Sequence, residues 1–465
     1  MMLGVGALVC ATIGCSSGSS SSGDSDSPTA GNYTMTWFYN GGSPKKTEVP
    51  SGTIITISSD VELGYLASFV NSGNSASGLT FTLTDTIFLN SNTSDYQKWV
   101  TSAPANVWTP IGNKACAFNG TFDGNGKTVY GMYTVSTTAD YQGLFGNAGP
   151  NSIIKNLTVA RSVVTGSYFV GSVAGNSDGT ISDCASDSIV SSVKGGAGGI
   201  VGVSSGTISS CKNSGTVKTT GQGDTVWATG GVFGKLDDFG VALDCSNTGS
   251  ISGWMAVGGV GGSIDKTGGV ANRCVNSGSV SAGSYHGGGI MGMVWGKLLN
   301  SSSTGDVTGV FDAGGAVGSV GDWGSTYHQA GPVENCYSSG SVSVSGSDEV
   351  GTFVGRLYGT VENCYATGKI LQKVGTLQNA FSGALFTDPV TNGTITNCYW
   401  LSSNASAPNS SYKWGASSTV CKVDSSGSFS GANDAIVAST SSLTYTGTLL
   451  SVLNAWVTAH SNDGC

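Results

Sequence analysis

The fold turns on the stretch Cys211-Lys212-Asn213-Ser214-Gly215-Thr216-Val217, because the chain writes it again. It returns as Cys245-Ser246-Asn247-Thr248-Gly249-Ser250-Ile251 and as Cys274-Val275-Asn276-Ser277-Gly278-Ser279-Val280. Looser copies run from Ile181–Cys184, through Ser301 to Thr304-Gly305-Asp306-Val307, to Cys336–Val342, Cys364–Ile370 and Cys398. Between them lies a second phrase, apolar residues bracketed by glycine, as in Gly143-Leu144-Phe145-Gly146 and Gly230-Gly231-Val232-Phe233-Gly234. Its closing glycines fall at 146, 175, 202, 234, 262, 292, 318 and 355, with spacings of 29, 27, 32, 28, 30, 26 and 37.

A period of this size, holding two or three short β-branched strands separated by Gly, Ser and Asn corners, predicts a solenoid. No unit can bury its apolar face alone, so stacking supplies the core. Glycine at fixed phases is expected to take corners with positive φ. A β-propeller needs four strands per blade, which 27 glycine-rich residues hardly provide. The expectation is therefore an all-β chain: a parallel β-helix solenoid of about 8–10 coils with short capping helices at each end.

Composition agrees. Of 465 residues, 74 are glycine, 10% are charged and 38% are hydrophobic. Disorder requires more charge and less hydropathy, and this much glycine disfavours long helices. The net charge is −9, and the arginines are Arg161, Arg273 and Arg356. That leaves no basic stripe to displace nucleic-acid counterions, so a nucleic-acid partner is not expected.

Residues 1–15 form a short apolar run ending Thr12-Ile13-Gly14-Cys15, which resembles a bacterial lipoprotein signal. That resemblance implies lipidation of Cys15 and a membrane contact through this anchor alone; an ordinary cleaved signal peptide is the other reading. Residues 16–30 read as a Ser/Gly-rich tether. Residues 31–56 read as a β-ribbon, with Tyr33, Met35, Trp37 and Tyr39 alternating before a turn at Asn40-Gly41-Gly42. Residues 57–132 read as the N-terminal cap and lead-in coils. Ser59 and Glu62 make a capping box there, and Leu63, Leu66, Ala67 and Val70 recur at helical spacing. The repeats occupy 133–402. Residues 403–465 read as a C-terminal coil and a capping helix built on Leu449, Leu450, Leu453, Trp456 and Val457.

The paired phrases, with the lead-in Trp108-Thr109-Pro110-Ile111-Gly112 and Phe118-Asn119-Gly120-Thr121-Phe122-Asp123-Gly124-Asn125-Gly126, resemble the GLUG-motif family of bacterial surface proteins. The resemblance runs from about Ile57 to Val457. It implies a parallel β-helix exported to the cell surface or secreted, acting as an adhesin-like binding or structural module for a glycan or another surface component.

No cofactor or metal is expected. His286, His328 and His460 lie far apart in sequence, and no Cys-x-x-Cys spacing occurs. The runner-up class is a polysaccharide lyase or glycoside hydrolase, since β-helices host both. A hydrolase needs two suitably placed carboxylates. Asp237-Asp238 would point to opposite faces of a strand, and Asp123 is expected to order a turn. Arg356 with Asp348 and Glu349 reads as a salt bridge or a solvated corner.

Binding candidates come from two features. Insertions fall at one phase of the repeat, between closing glycine and cysteine, and the longest, Ser319–Val333, carries Trp323, Tyr327 and His328. The residue after the cysteine is Tyr337, Tyr365 and Tyr399 in the final copies, with Trp400 following. If the cysteines point inward, these tyrosines point outward as a strip able to stack on sugar rings; mutual packing is the alternative. Stacked cysteines also lie within disulfide reach. The candidate pairs are Cys184–Cys211, Cys245–Cys274, Cys336–Cys364 and Cys398–Cys421, set against a column of free buried thiols.

Overall fold

The computed structural model describes residues 32–35, 51–265, 268–321, 330–346 and 349–372, short strand segments between 378 and 401, and 420–423. The chain winds a parallel β-solenoid of about 11 turns with two helices among the described residues. Four sheets of 13, 12, 15 and 9 strands run along it.

One turn shows the build. Thr207–Ser209 belongs to the first sheet and Lys212–Asn213 to the second. Thr216–Thr219 and Trp227–Gly230 belong to the third, and Phe233–Leu236 to the fourth. A turn thus holds five strands of two to four residues, where two or three were expected. Each is short because a corner follows almost at once. In the first sheet these turns pair in parallel without slippage: Ile181, Ile208, Ala242, Ala271 and Leu298 share one inward column, and all are fully buried. Where Phe233 and Met291 are large, Gly261 between them leaves room; a Cβ there would overlap the Phe233 ring. Such alternation fills the core to density without strain.

The glycines do not serve as expected. The corner before each cysteine is left-handed, but its occupants are Asp183, Ser210, Asp244, Arg273, Asn300, Asn335 and Asn363, with φ between 49° and 55°. Asn and Asp adopt this region at low cost. The repeat glycines instead answer a steric demand. A Cβ on Gly249, Gly278, Gly305 or Gly340 would overlap the carbonyl oxygen of the equivalent glycine one turn earlier.

The cysteine column stacks in register. Lys212, Ser246, Val275 and Ser302 each donate a backbone N–H to the carbonyl of the cysteine one turn back, at 2.9 Å. Cys184, Cys211, Cys245, Cys274, Cys336, Cys364 and Cys398 are buried free thiols, and Cys116 is free as well. Each buried thiol faces backbone carbonyls; Cys211 Sγ lies 3.3 Å from Ser209 O and 3.7 Å from Ile181 O. The thiols thus meet carbonyls as well as their neighbours in the column, and no disulfide forms among these free cysteines. Cys421 shares a register position with Tyr399, while Cys398 pairs with Val420, so the proposed partners Cys398 and Cys421 do not stack. Two residues past the cysteine a second ladder is buried. Asn213 Nδ2 donates to Asn247 Oδ1 (2.8 Å), and Asn247 Nδ2 donates to Asn276 Oδ1 (2.9 Å). Each amide also bridges its own turn, Asn247 Nδ2 donating to Gly249 O (3.0 Å) and Oδ1 accepting from Gly249 N (3.2 Å).

At the N-terminal end, the helix Asp60–Asn71 buries Leu63, Leu66, Ala67, Phe69 and Val70 in the main core. Ser59 Oγ accepts from Glu62 N–H, and the Glu62 carboxylate accepts from Ser58 N–H at 2.7 Å. The capping pair therefore forms, with the glutamate reaching one residue further back. The ends of the expected ribbon do not fold back on each other: Asn32–Thr34 pairs in parallel with Ile54–Ile57, extending the first sheet. Its turn at 40–42, the C-terminal cap at 449–457 and residues 1–30 lie outside the described residues.

Replacing Asn247 by alanine orphans buried donors and acceptors on both neighbouring turns. It should cost about 1–3 kcal/mol, read as a lower urea midpoint with little change in slope. Unfolded without reductant, the chain should titrate at least the eight described cysteines as thiols; bridged cysteines in that assay would contradict the ladder.

Candidate binding crease

A second left-handed column runs along the solenoid. Tyr141, Phe169, Gly196, Ala228, Ala256, His286 and Asp312 occupy it, one per turn, with φ of 46° to 67°. Glycines of the next turn pack onto this column; a Cβ on Gly262, Gly292, Gly318 or Gly355 would strike the backbone of Ala228, Ala256, His286 or Asp312 respectively. This close approach draws the third and fourth sheets into a crease parallel to the axis. One side carries the register Tyr168, Gly195, Trp227 and Met255. The other carries Val203, Lys235, Ser263, Met293, Ser319 and Arg356.

Two groups of side chains meet in it. In the first, Trp227 and Trp295 lie edge to face, with ring centroids 6.1 Å apart and planes at 71°. Lys235 Nζ sits 5.4 Å from the centre of the Trp227 ring, 2.6 Å from Asp265 Oδ2 and 3.6 Å from Asp237 Oδ2. Ser263 Oγ donates to Asp265 Oδ1 at 2.6 Å. Burial holds the Asp265 carboxyl above its ordinary value, with Lys235 pulling the other way. The indole Nε1 of Trp295 is buried without an acceptor.

In the second group, Arg356 Nη2 bridges Glu349 Oε2 (3.0 Å) and Asp312 Oδ1 (3.2 Å), and His286 Nδ1 lies 3.3 Å from Asp312 Oδ2. Asp312 is fully buried, and His286 and Glu349 are nearly so. Burial works to raise the Glu349 carboxyl, but its interactions with Asp312 and Arg356 hold it below its ordinary value. Burial pushes His286 down to about 3, Arg356 adding to the shift and Glu349 opposing it. The imidazole is therefore neutral at ordinary pH. The expected Arg356–Glu349 salt bridge is present, but the solvated corner is a buried network, because the crease folds over it. Among the described residues, no cluster of three His, Cys, Asp or Glu fits a metal ion.

The tyrosine strip sits elsewhere, on the second sheet. Tyr337, Tyr365 and Tyr399 do stack in register. The rings of Tyr337 and Tyr365 lie face on face, 4.2 Å apart at 29°, and the Tyr337 hydroxyl meets Thr367 Oγ1 at 3.0 Å. At one turn's spacing each ring covers one face of the other. Trp400 shares the register of the buried Ala366. Trp323, Tyr327, His328 and Asp348 lie outside the described residues. Asp123 orders a turn as expected, accepting from Asn125 N–H at 2.8 Å and from Asn156 Nδ2 at 3.1 Å.

A signal for the crease existed. Counted from each closing glycine, His286, Asp312 and Glu349 all fall six residues before it, and Lys235 and Arg356 one after. Asp237, Asp265 and Trp295 fall three after. Residues scattered in sequence become neighbours once phase replaces position.

Fold and crease define a parallel β-solenoid carrying a polar and aromatic groove on one edge. No family model matches this chain. Over 77 residues, 16% of its length, it is 43% identical to halomucin of Haloquadratum walsbyi, of which the match covers 1%. Over 77 residues it is 36% identical to a provisionally named Gly-rich membrane protein of Evansella cellulosilytica, of which the match covers 9%. The matched region thus spans less than a tenth of either relative. A Bacteroides ovatus crystal structure, provisionally named an immunoglobulin A1 protease, superposes with a TM-score of 0.43 at 18% identity over 72% of this chain and 85% of that one. Among the described residues no helix is long and apolar enough to cross a membrane.

Arg356→Met strands two buried carboxyl groups and should cost about 3–5 kcal/mol in urea unfolding. His286 yields a pH signature. Its folded value, about 3, lies below the ordinary 6.5, so between these limits the unfolded chain holds more protons. Stability should fall as pH drops from about 6.5 towards 3, by at most about 1.4 kcal/mol per unit from this residue. His286→Gln should flatten that slope in melts at pH 4.5 and 7.5; an unchanged slope would place the titration elsewhere.

Proposed function

We propose that the chain is an exported, adhesin-like binding module of the GLUG-motif kind, a rigid solenoid that presents a ligand-binding crease. The observation that carries this reading is the break in repetition. Inward columns keep one character from turn to turn, whereas the crease collects Trp227, Trp295, Lys235 and Asp265 on a scaffold that does not need them for its core. The 220–226 segment leads into Trp227, and Asp265 follows the strand Gly261–Ile264. The names of the two partial relatives, a halomucin and a Gly-rich membrane protein, support an extracellular or membrane-associated setting. A lipid on Cys15 would supply the tether.

A polysaccharide-active enzyme is the second reading, and the observation favouring it is the carboxyl pair Asp312 and Glu349 beside Arg356. Their burial and their shared pairing with Arg356 suit a structural network better than a pair flanking a scissile bond. Incubating the full chain with a glycan array and with intact cells, beside a reducing-end assay, separates the two. Retention without new reducing ends or unsaturated products is expected. Tyr337→Ala with Tyr365→Ala should leave retention unchanged, because these rings lie on the second sheet, outside the crease. Released product would establish the enzyme instead.

A further inference from the structure

We propose that the crease between Trp227 and Trp295 is a saccharide subsite for an uncharged pyranose. The inference rests on the binding-module reading and assigns it a place and a ligand class. The two indoles belong to turns two apart, about 10 Å along the axis, yet their centroids are 6.1 Å apart. The two indoles therefore reach towards each other across the intervening turn. An edge-to-face pair leaves both faces of the edge-on ring uncovered by its partner, and both indoles are partly exposed. A pyranose offers axial C–H groups to such a face and hydroxyls at its rim.

The rim groups suit hydroxyls. Asp265 and Lys235 are held 2.6 Å apart with 8% and 24% of their side chains exposed, so they are preorganised acceptor and donor. Asp237, 34% exposed, extends the acceptor set to the mouth. Two carboxylates against one ammonium repel an acidic sugar. The ammonium already lying between carboxylates and indole opposes a cationic one. What remains is a neutral ring bound by stacking and by hydrogen bonds that a charged pair strengthens.

The full chain should be titrated calorimetrically with cellohexaose and chitohexaose as neutral probes, hexagalacturonate as an anionic probe and chitosan hexamer as a cationic one. A neutral probe should bind, and Trp227→Ala and Trp295→Ala should each weaken it at least tenfold. Unaltered far-UV circular dichroism and melting would certify the fold; Trp227→Phe and Lys235→Gln replace any variant that fails this check and should weaken binding at least threefold. Neutral binding that ignores these substitutions, or tighter binding of a charged probe, overturns the subsite. So does failure of all four probes; if the glycan array or cells still retain the chain in that case, the binding-module reading survives, and if they do not, both fall.

Discussion

Everything in this molecule must tolerate being stacked on its own equivalent at about 4.8 Å, the spacing of hydrogen-bonded strands. Apolar side chains meet that condition by filling one another's gaps. Asparagine meets it because an amide is both donor and acceptor, so Asn213, Asn247 and Asn276 satisfy one another indefinitely. Aromatic rings meet it only face to face, which is why Tyr337 and Tyr365 spend their faces on each other. Like charges meet it badly. Where Glu334 stacks on Glu362, its carboxyl is held above the ordinary value by burial and then by that neighbour. Where Asp244 stacks beneath Arg273 the signs alternate, and a bidentate pair forms at 2.7 and 2.8 Å.

The same spacing explains the division of labour between glycine and asparagine. Corners require a left-handed residue, and Asn, Asp or Ser can supply it while their side chains turn outward. The crowded positions require no side chain at all, because a neighbouring turn's carbonyl occupies the place of a Cβ. Glycine's missing atom, rather than its backbone freedom, is what recurs with the repeat.

The crease is where this regularity yields chemistry. Its left-handed column passes from Ala228 and Ala256, which are small, to His286 and Asp312, which ionise, without any change of backbone. The fold thus offers a series of equivalent positions at fixed height, and the chain fills some with bulk, some with charge and some with neither. Burial of the Arg356 network and partial exposure of the Trp227 group give the two ends different duties: one holds the turns together, the other faces outward.

The sequence by itself determined the solenoid, the register of the cysteine column, the N-terminal helix and the inward and outward sides of the strand after each cysteine. All of these follow from periodicity, which a one-dimensional string carries in full. Tertiary structure decided the rest. The number of strands per turn, the parallel pairing of Asn32–Thr34, the face-to-face closure of the tyrosines and the meeting of Trp227 with Trp295 depend on contacts between turns, 22 to 68 residues apart in the chain. Local propensity has no access to that distance. His286, Asp312, Glu349 and Arg356 stood in the string at constant phase, but only close packing of glycine against the left-handed column shows that this phase is a buried crease rather than a wet corner.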